Sequence, residues 1–229
     1  MSRGNGRGDG SRMLATRVKT ARRRSSASSR WLQRQLNDPY VKKAQAEGYR
    51  SRAAFKLLEL DDRFGILPHK GRFVDLGCAP GGWTQVLASK VEGGSIVGVD
   101  IQKVDPIPGA TLLELDIFSK EAVPKIAEAL GGPADAVLSD MAPSTTGHKR
   151  TDQLRIGALA EAAYDVAAQL LGEGGVFAVK VFQGGAQKDL LELLKRDFSQ
   201  VRHAKPPASR SDSAEMYLIA TGFRAGDSH

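Results

Sequence analysis

Lys180 is the one charged residue in the run Val176, Phe177, Ala178, Val179, Lys180, Val181, Phe182. Burying an ammonium group without a partner is costly, so a lysine in that place points to chemistry rather than packing. Four carboxylates, Asp75, Asp100, Asp116 and Asp140, stand at or near the ends of other short apolar stretches. The turn Gly77-Cys78-Ala79-Pro80-Gly81-Gly82 follows the first of them, and glycines there let a ligand approach the backbone closely. The spacing is not that of a dinucleotide site, which needs G-x-G-x-x-G. Here three residues separate the first glycine from the next, and Pro80 lacks an N–H that a pyrophosphate would use. The turn also lacks the Lys-Ser/Thr ending of a phosphate-binding loop.

Asp100 can accept two hydrogen bonds from a ribose diol. Asp116 suits an adenine amino group, or else caps a helix starting near Ser119. Trp83 reads either as a wall of the same pocket or as a core aromatic. Together these residues point to an adenosine cofactor without a pyrophosphate, with S-adenosylmethionine the leading candidate. Alone, Asp140 reads equally well as a turn residue ahead of Pro143. Cys78 reads as a small turn residue rather than a nucleophile. The scattered His69, His148, His203 and His229 suggest no metal site.

Such residues need a scaffold that gathers strand ends. Asp38-Pro39 reads as an N-cap followed by Pro at the first helical position, opening a helix that ends near Gly48. Over 51–64, Ala53, Leu57, Leu60 and Phe64 recur at helical spacing as a buried stripe, with Arg52 and Lys56 on the other face. A strand is predicted from residue 71 into the glycine turn, followed by a helix to about residue 91. Further strands are predicted over 94–100, 111–116, 134–140, 175–182, 200–203 and 215–222, and helices over 119–130, 152–171 and 186–196. Strands alternating with helices predict one α/β domain, a mostly parallel sheet with helices on both faces. Ligands of such sheets bind beyond the carboxyl ends of the strands, where the polar residues above are found.

The chain has 229 residues, 41% of them hydrophobic, enough for one substantial core. No apolar run approaches the roughly 18 to 20 residues of a membrane span, and the basic start lacks the apolar stretch of a secretory signal. A single cysteine fits a reducing compartment, so a cytoplasmic location is expected. The net charge of +7 is unevenly placed: residues 1–34 hold ten Arg or Lys against Asp9 alone, a local +9 that leaves −2 for the rest. The same stretch holds Gly4, Gly6, Gly8 and Gly10 and a serine cluster over 25–29, with few large apolar residues. Residues 1–30 read as a disordered basic arm, serving either as a solubilising tail or as a phosphate-binding arm. Residues 31–223 form the expected domain and 224–229 a short tail.

The stretches GYRSRAAFKL (48–57), DLGCAPGGW (75–83), LSDMAP (138–143), VKVFQG (179–184) and SRSDSAEMYLIATG (209–222) resemble, in order and spacing, the FtsJ/RlmE family of RNA 2′-O-ribose methyltransferases. The resemblance covers about residues 31–223 and leaves out the basic arm. It implies a Rossmann-like methyltransferase fold with a seven-stranded sheet and an antiparallel last strand. It also implies a Lys-Asp-Lys-Glu catalytic set, at Lys56, Asp140, Lys180 and Glu215, with Lys180 as proton acceptor. S-adenosylmethionine would be held by Gly81, Trp83, Asp100, Asp116 and Asp140. The implied substrate is a uridine in the 23S rRNA A-loop of the large ribosomal subunit; no membrane partner is expected, and the sequence leaves the oligomeric state open, with a monomer favoured. A tRNA methyltransferase and a non-catalytic ribosome-assembly factor are the alternatives.

The chemistry gives such a set a purpose. A ribose hydroxyl is a poor nucleophile until its proton is removed or strongly polarised. A lysine takes that proton only when neutral, which requires its ordinary pKa of about 10.4 to fall to near 7. The cation Lys56 would favour neutral Lys180, whereas Asp140 and Glu215 would favour its charged form. Lys180 is therefore either the base or a charged group that orients the hydroxyl and stabilises developing alkoxide. Asp140 would align Lys180 and touch the methyl donor, and Lys56 and Glu215 would orient the ribose and its phosphate. Arg50, Arg52 and Lys56, with the loop 147–150, are expected to meet RNA phosphates, although that loop reads equally as a solvated one.

Overall fold

The computed structural model describes residues 36–143, 146–184 and 188–225. The arm read over 1–30 lies outside these residues, as does the tail beyond residue 225. Helix α1 (Pro39–Ala46) opens at Asp38, whose Oδ1 accepts the Tyr40 N–H at 3.0 Å, with Pro39 where a missing N–H has no cost. Helix α2 (Ala53–Phe64) ends at Gly65 in the left-handed conformation. There follow β1 (Gly71–Leu76), α3 (Gly82–Lys90), β2 (Gly94–Asp100), β3 (Thr111–Glu114), α4 (Ala122–Leu130), β4 (Ala134–Ser139) and α5 (Lys149–Leu170). The rest comprises β5 (Leu171–Phe182), α6 (Lys188–Asp197), β6 (Phe198–Ala204) and β7 (Glu215–Phe223).

The strands form one sheet in the order β3-β2-β1-β4-β5-β7-β6. Strands β1 to β5 pair in parallel, and β7 runs antiparallel to both β5 and β6. The predicted seven-stranded, mostly parallel sheet with an antiparallel last strand is therefore present. Strand order reverses between β1 and β4, and a crevice opens there beyond the carboxyl ends of both strands. Alternate side chains serve opposite faces. Val74, Leu76, Phe177 and Val179 pack with α4, α5 and α6, while Phe73, Leu138, Ala178 and Tyr217 pack with α2 and α3. With both faces covered, isolated polar residues in the strands are buried too: Asp75, Ser139 and Lys180. No helix among the described residues is long and apolar enough to cross a membrane.

Several expectations change in detail. On α2 the buried residues are Ala54, Phe55, Lys56, Leu57 and Leu60, whereas Ala53 and Phe64 are only half-buried. The supposedly solvated face is covered by the chain entering β7, through Ala208 against Phe55 and Glu215 against Lys56. Helix α5 starts at Lys149 rather than Asp152, so 149–150 belong to a helical turn rather than a loop. Asp152 Oδ1 fixes that start by accepting the Thr146 N–H at 2.8 Å and hydroxyl at 2.7 Å. Helix α4 starts at Ala122 because residues 119–121 form a turn in which Ser119 Oγ accepts the Glu121 N–H at 3.2 Å. Strand β5 begins at Leu171, directly after α5, and reaches its regular register with β4 past an irregularity at Ala134 to Ala136.

Candidate active site

Beyond β1 the chain turns at Gly77 (φ +78°), where a Cβ would lie 2.3 Å from Met141 Cγ and 3.1 Å from its Cα. Only glycine fits that gap in that conformation. Asp100, at the end of β2, braces the turn: Oδ2 accepts the Ala79 N–H at 2.9 Å and Oδ1 the Gln102 N–H at 2.8 Å. A cavity of about 550 Å³ opens beside it, lined by Asp100, Asp116, Ile101, Phe118, Met141 and Leu159 among others. Ile101 and Phe118 are 69% and 63% exposed, which gives a flat aromatic ligand apolar surface to rest on. Asp116 does not cap the helix, which starts at Ala122 after Glu121; its Oδ1 accepts the Phe118 N–H at 3.0 Å within a turn, and the residue lines the cavity. Carboxylates at this end suit hydroxyl and amino donors and oppose a phosphate, so the cavity fits a phosphate-free adenosine.

A second cavity, of about 470 Å³, shares Gly77 and Ala79 with the first and is lined further by Arg52, Lys56, Asp140, Arg210, Ser213 and Glu215. Trp83, read above as a wall of the pocket of Asp100 and Asp116 or as a core aromatic, lines this second cavity and not the first. It is a core aromatic as well, 3% exposed, with Nε1 donating to the Ala53 carbonyl at 2.8 Å and its ring 5.8 Å from that of Tyr217. Gly81 is the N-cap of α3 at φ +117°, between Pro80 and Gly82, which both line the cavity.

The four expected catalytic residues come together on the α2 face of the sheet. Lys180 Nζ donates to the Asp140 main-chain oxygen at 2.6 Å and pairs with Asp140 Oδ1 at 3.0 Å. Lys56 Nζ lies 3.6 Å from Asp140 Oδ2 and 2.7 Å from Glu215 Oε1, and that oxygen also accepts the Ser209 hydroxyl at 2.8 Å. Two cations and two anions thus form a connected chain, Lys180–Asp140–Lys56–Glu215. The β5–β7 register sets its geometry by pairing Lys180 with Tyr217 and Phe182 with Glu215. Asp140 and Lys56 line the second cavity, while Lys180, 5% exposed, lies directly behind Asp140. A neutral amine has two N–H groups and one lone pair. With both N–H groups directed at Asp140, the third direction holds a lone pair, or a further N–H when the group is charged.

Electrostatics keep Asp140 ionised. Burial opposes its charge, yet Lys180 and Lys56, with the Tyr217 hydroxyl donating to Oδ1 at 2.6 Å, outweigh burial and hold its pKa below the usual carboxylate range. Burial raises the Tyr217 pKa well above its ordinary value, and the negative charges of Asp140 and Glu215 raise it further. The phenol therefore stays a donor. Burial pushes Asp75 up to about 7 against the Thr84 hydroxyl, which donates to its Oδ2 at 2.6 Å. Cys78 is likewise raised by burial, with Asp75 and Asp100 adding to the effect, so it is a thiol and not an activated nucleophile.

Sequence reasoning missed Tyr217 and Arg210. Tyr217 reads as an ordinary strand aromatic until pairing places it beside Lys180. Arg210 and Arg52 both reach Asp38: Arg52 Nη1 binds Asp38 Oδ2 and its Nη2 donates to the Ala208 carbonyl, while Arg210 Nη2 lies 3.4 Å from Asp38 Oδ2. Arg52 and Lys56, one helical turn apart, are each paired within the protein, the first with Asp38 and the second with Glu215 and Asp140.

Comparison with known proteins gives the same direction. The family model of the FtsJ-like methyltransferases matches residues 49–223. The chain is 58% identical over 227 residues to the Ribosomal RNA large subunit methyltransferase E of Paramagnetospirillum magneticum, covering 96% of this chain and 93% of the relative. To the protein of that name in Zymomonas mobilis it is 61% identical over 208 residues, covering 91% and 94%. A Plasmodium falciparum crystal structure described as a ribosomal RNA methyltransferase superposes with a TM-score of 0.68 at 32% identity, covering 76% of this chain and 98% of the other. With a family model spanning the whole sheet and both cavities, and relatives aligned along nearly their entire length, the chain belongs to the FtsJ-like methyltransferase family.

Proposed function

We propose that this chain transfers the methyl group of S-adenosylmethionine to the 2′-hydroxyl of a uridine in the A-loop of 23S rRNA in the large ribosomal subunit. The observation that carries the reading is the buried Lys180 amine held by two oxygens of Asp140, where a nucleoside-sized cavity meets a cation-bearing one. S-adenosylmethionine supplies, when bound, an electrophilic methyl group on a sulfonium. Asp100, Asp116, Gly81, Trp83 and Asp140 would hold it, Asp100 being suited to its ribose hydroxyls and Asp116 to its adenine amino group. Lys180 takes or polarises the target hydroxyl's proton in the direction that Asp140 leaves open. Asp140 fixes that direction, and Lys56 and Glu215 orient the target ribose and its phosphate. Arg52 and Arg210, on the wall of the same cavity, add positive charge for the neighbouring backbone.

The relatives named as large-subunit rRNA methyltransferases support rRNA as the substrate. The basic arm supports a polyanionic partner, met in the cytoplasm by a monomer. The test is to incubate the protein with methyl-labelled S-adenosylmethionine and large subunits, naked rRNA or tRNA, and to map the labelled ribose. Label at one A-loop uridine is expected. Transfer only to tRNA would replace the substrate, and cofactor binding with no transfer to any RNA would make the chain an RNA-binding factor.

A further inference from the structure

Arg50 was expected to meet RNA, but its guanidinium is engaged elsewhere. Nη1 donates to the carbonyls of Asp105 at 2.8 Å and Pro80 at 3.3 Å, and Nη2 donates to the Pro106 carbonyl at 2.8 Å. Three of its five N–H groups are thus committed to main-chain oxygens of two separate segments. One is the glycine turn, and the other is the stretch between β2 and β3. Its own N–H donates to Gln85 Oε1 at 2.7 Å, and Gln85 Nε2 returns to the Gly48 carbonyl at 3.1 Å, which anchors the base of the side chain to α3. The fit is close: a Cβ on Gly81 would meet Ile107 Cδ1 at 2.7 Å and Arg50 Nη1 at 3.0 Å.

These two segments are also the ones Asp100 ties together from inside the first cavity, through Ala79 and Gln102. We infer that Arg50 is a positioning residue for the methyl-donor cavity. From the outer side it brackets the glycine turn to the β2–β3 segment, so that the main chain around Asp100 keeps the shape the cofactor requires. The planar guanidinium matters because its donors reach three carbonyls at once, and a lysine ammonium at the end of a flexible stem does not span them. This inference rests on the S-adenosylmethionine reading proposed above.

The experiment compares wild type, Arg50→Lys and Arg50→Ala in three measurements: S-adenosylmethionine affinity by calorimetry, affinity for a labelled A-loop RNA, and steady-state kinetics. Both variants are expected to bind the cofactor about five- to tenfold more weakly. The KM for cofactor should rise in parallel, kcat at saturating cofactor should stay within about twofold, and RNA affinity should be nearly unchanged. Arg50→Lys, which keeps the charge, should fail to rescue. If Arg50→Lys binds the cofactor like wild type while Arg50→Ala loses RNA affinity, Arg50 is a phosphate contact and the inference is overturned. Wild-type cofactor affinity in both variants overturns it as well. A wild-type protein that binds no S-adenosylmethionine instead overturns the functional reading. Thermal melts identify a folding defect, and in that event Gln85→Ala, which loosens the same anchor, carries the same expectation.

Discussion

Lys180 and Tyr217 stand opposite each other in the β5–β7 ladder and converge on one atom, Oδ1 of Asp140, at 3.0 and 2.6 Å. On the function proposed above the amine would act on the target hydroxyl and the phenol would only orient Asp140, so their removal should differ in kind. Lys180→Ala is expected to lower kcat by about 10²- to 10⁴-fold with cofactor affinity retained. Tyr217→Phe, which leaves Asp140 both lysine contacts, should cost about tenfold or less. Single-turnover methylation at saturating cofactor and RNA distinguishes the two.

Lys56 and Glu215 share a 2.7 Å contact and act on the same cavity. Removing Lys56 leaves Glu215 without its cation, and removing Glu215 leaves the buried Lys56 only the longer 3.6 Å contact with Asp140. Lys56→Ala and Glu215→Ala should therefore be non-additive in kcat/KM, with a coupling of about 1 to 3 kcal/mol in a double-mutant cycle. An additive cycle would mean that the contact has no part in catalysis.

Asp100 and Asp116 line the cofactor cavity with unequal anchoring. Asp100 is half-buried and holds two main-chain N–H groups, whereas Asp116 is exposed and holds one. Asp100→Asn should raise the Kd for S-adenosylmethionine by about tenfold or more, and Asp116→Asn by about threefold. Calorimetric titration with the cofactor alone checks both values.

Asp75 gives the fold a pH dependence of unusual sign. Its folded pKa of about 7 lies above that of the unfolded chain, so the folded state binds more protons across that interval. Stability from this group is present at low pH and declines as pH rises toward and through about 7. Between pH 5 and pH 8 the wild type should lose a few degrees of Tm that Asp75→Asn does not lose. Scanning calorimetry across that range tests the difference of slopes.

The ten cations of residues 1–34 should act through counterion release. Deleting residues 1–30 is expected to weaken RNA binding and to flatten the plot of log affinity against log salt, while kcat at saturating RNA holds. An unchanged slope would assign the arm to solubility.

Much of the fold was legible because α/β alternation is written in local periodicity, and Lys180 was legible because a charge inside Val176–Phe182 has few structural explanations. Lys56 was not. Its helical spacing places it on an outer face, and only the long-range return of the chain before β7 buries it. Arg50 and Arg52 looked alike in sequence, yet one holds three carbonyls and the other holds Asp38 and the Ala208 carbonyl. Partners so distant along the chain leave no local pattern. Asp116 caps a turn at Phe118 rather than the helix that starts at Ala122, and Trp83 is a core aromatic that lines the second cavity rather than the one beside Asp100.

The position of β7 also constrains how the protein is made. This strand is synthesised after β6 but lies between β5 and β6 in the sheet. While the chain is still emerging from a ribosome, β5 therefore has an open edge and β6 has no neighbour to pair with. Glu215 and Tyr217 arrive on the strand that fills this slot, so closing the sheet and completing the cluster around Asp140 and Lys56 are one event. A nascent chain that ends before residue 215 has the residues that pair Lys180 with Asp140, but lacks the Tyr217 hydroxyl that donates to Asp140 and the Glu215 carboxylate that holds Lys56.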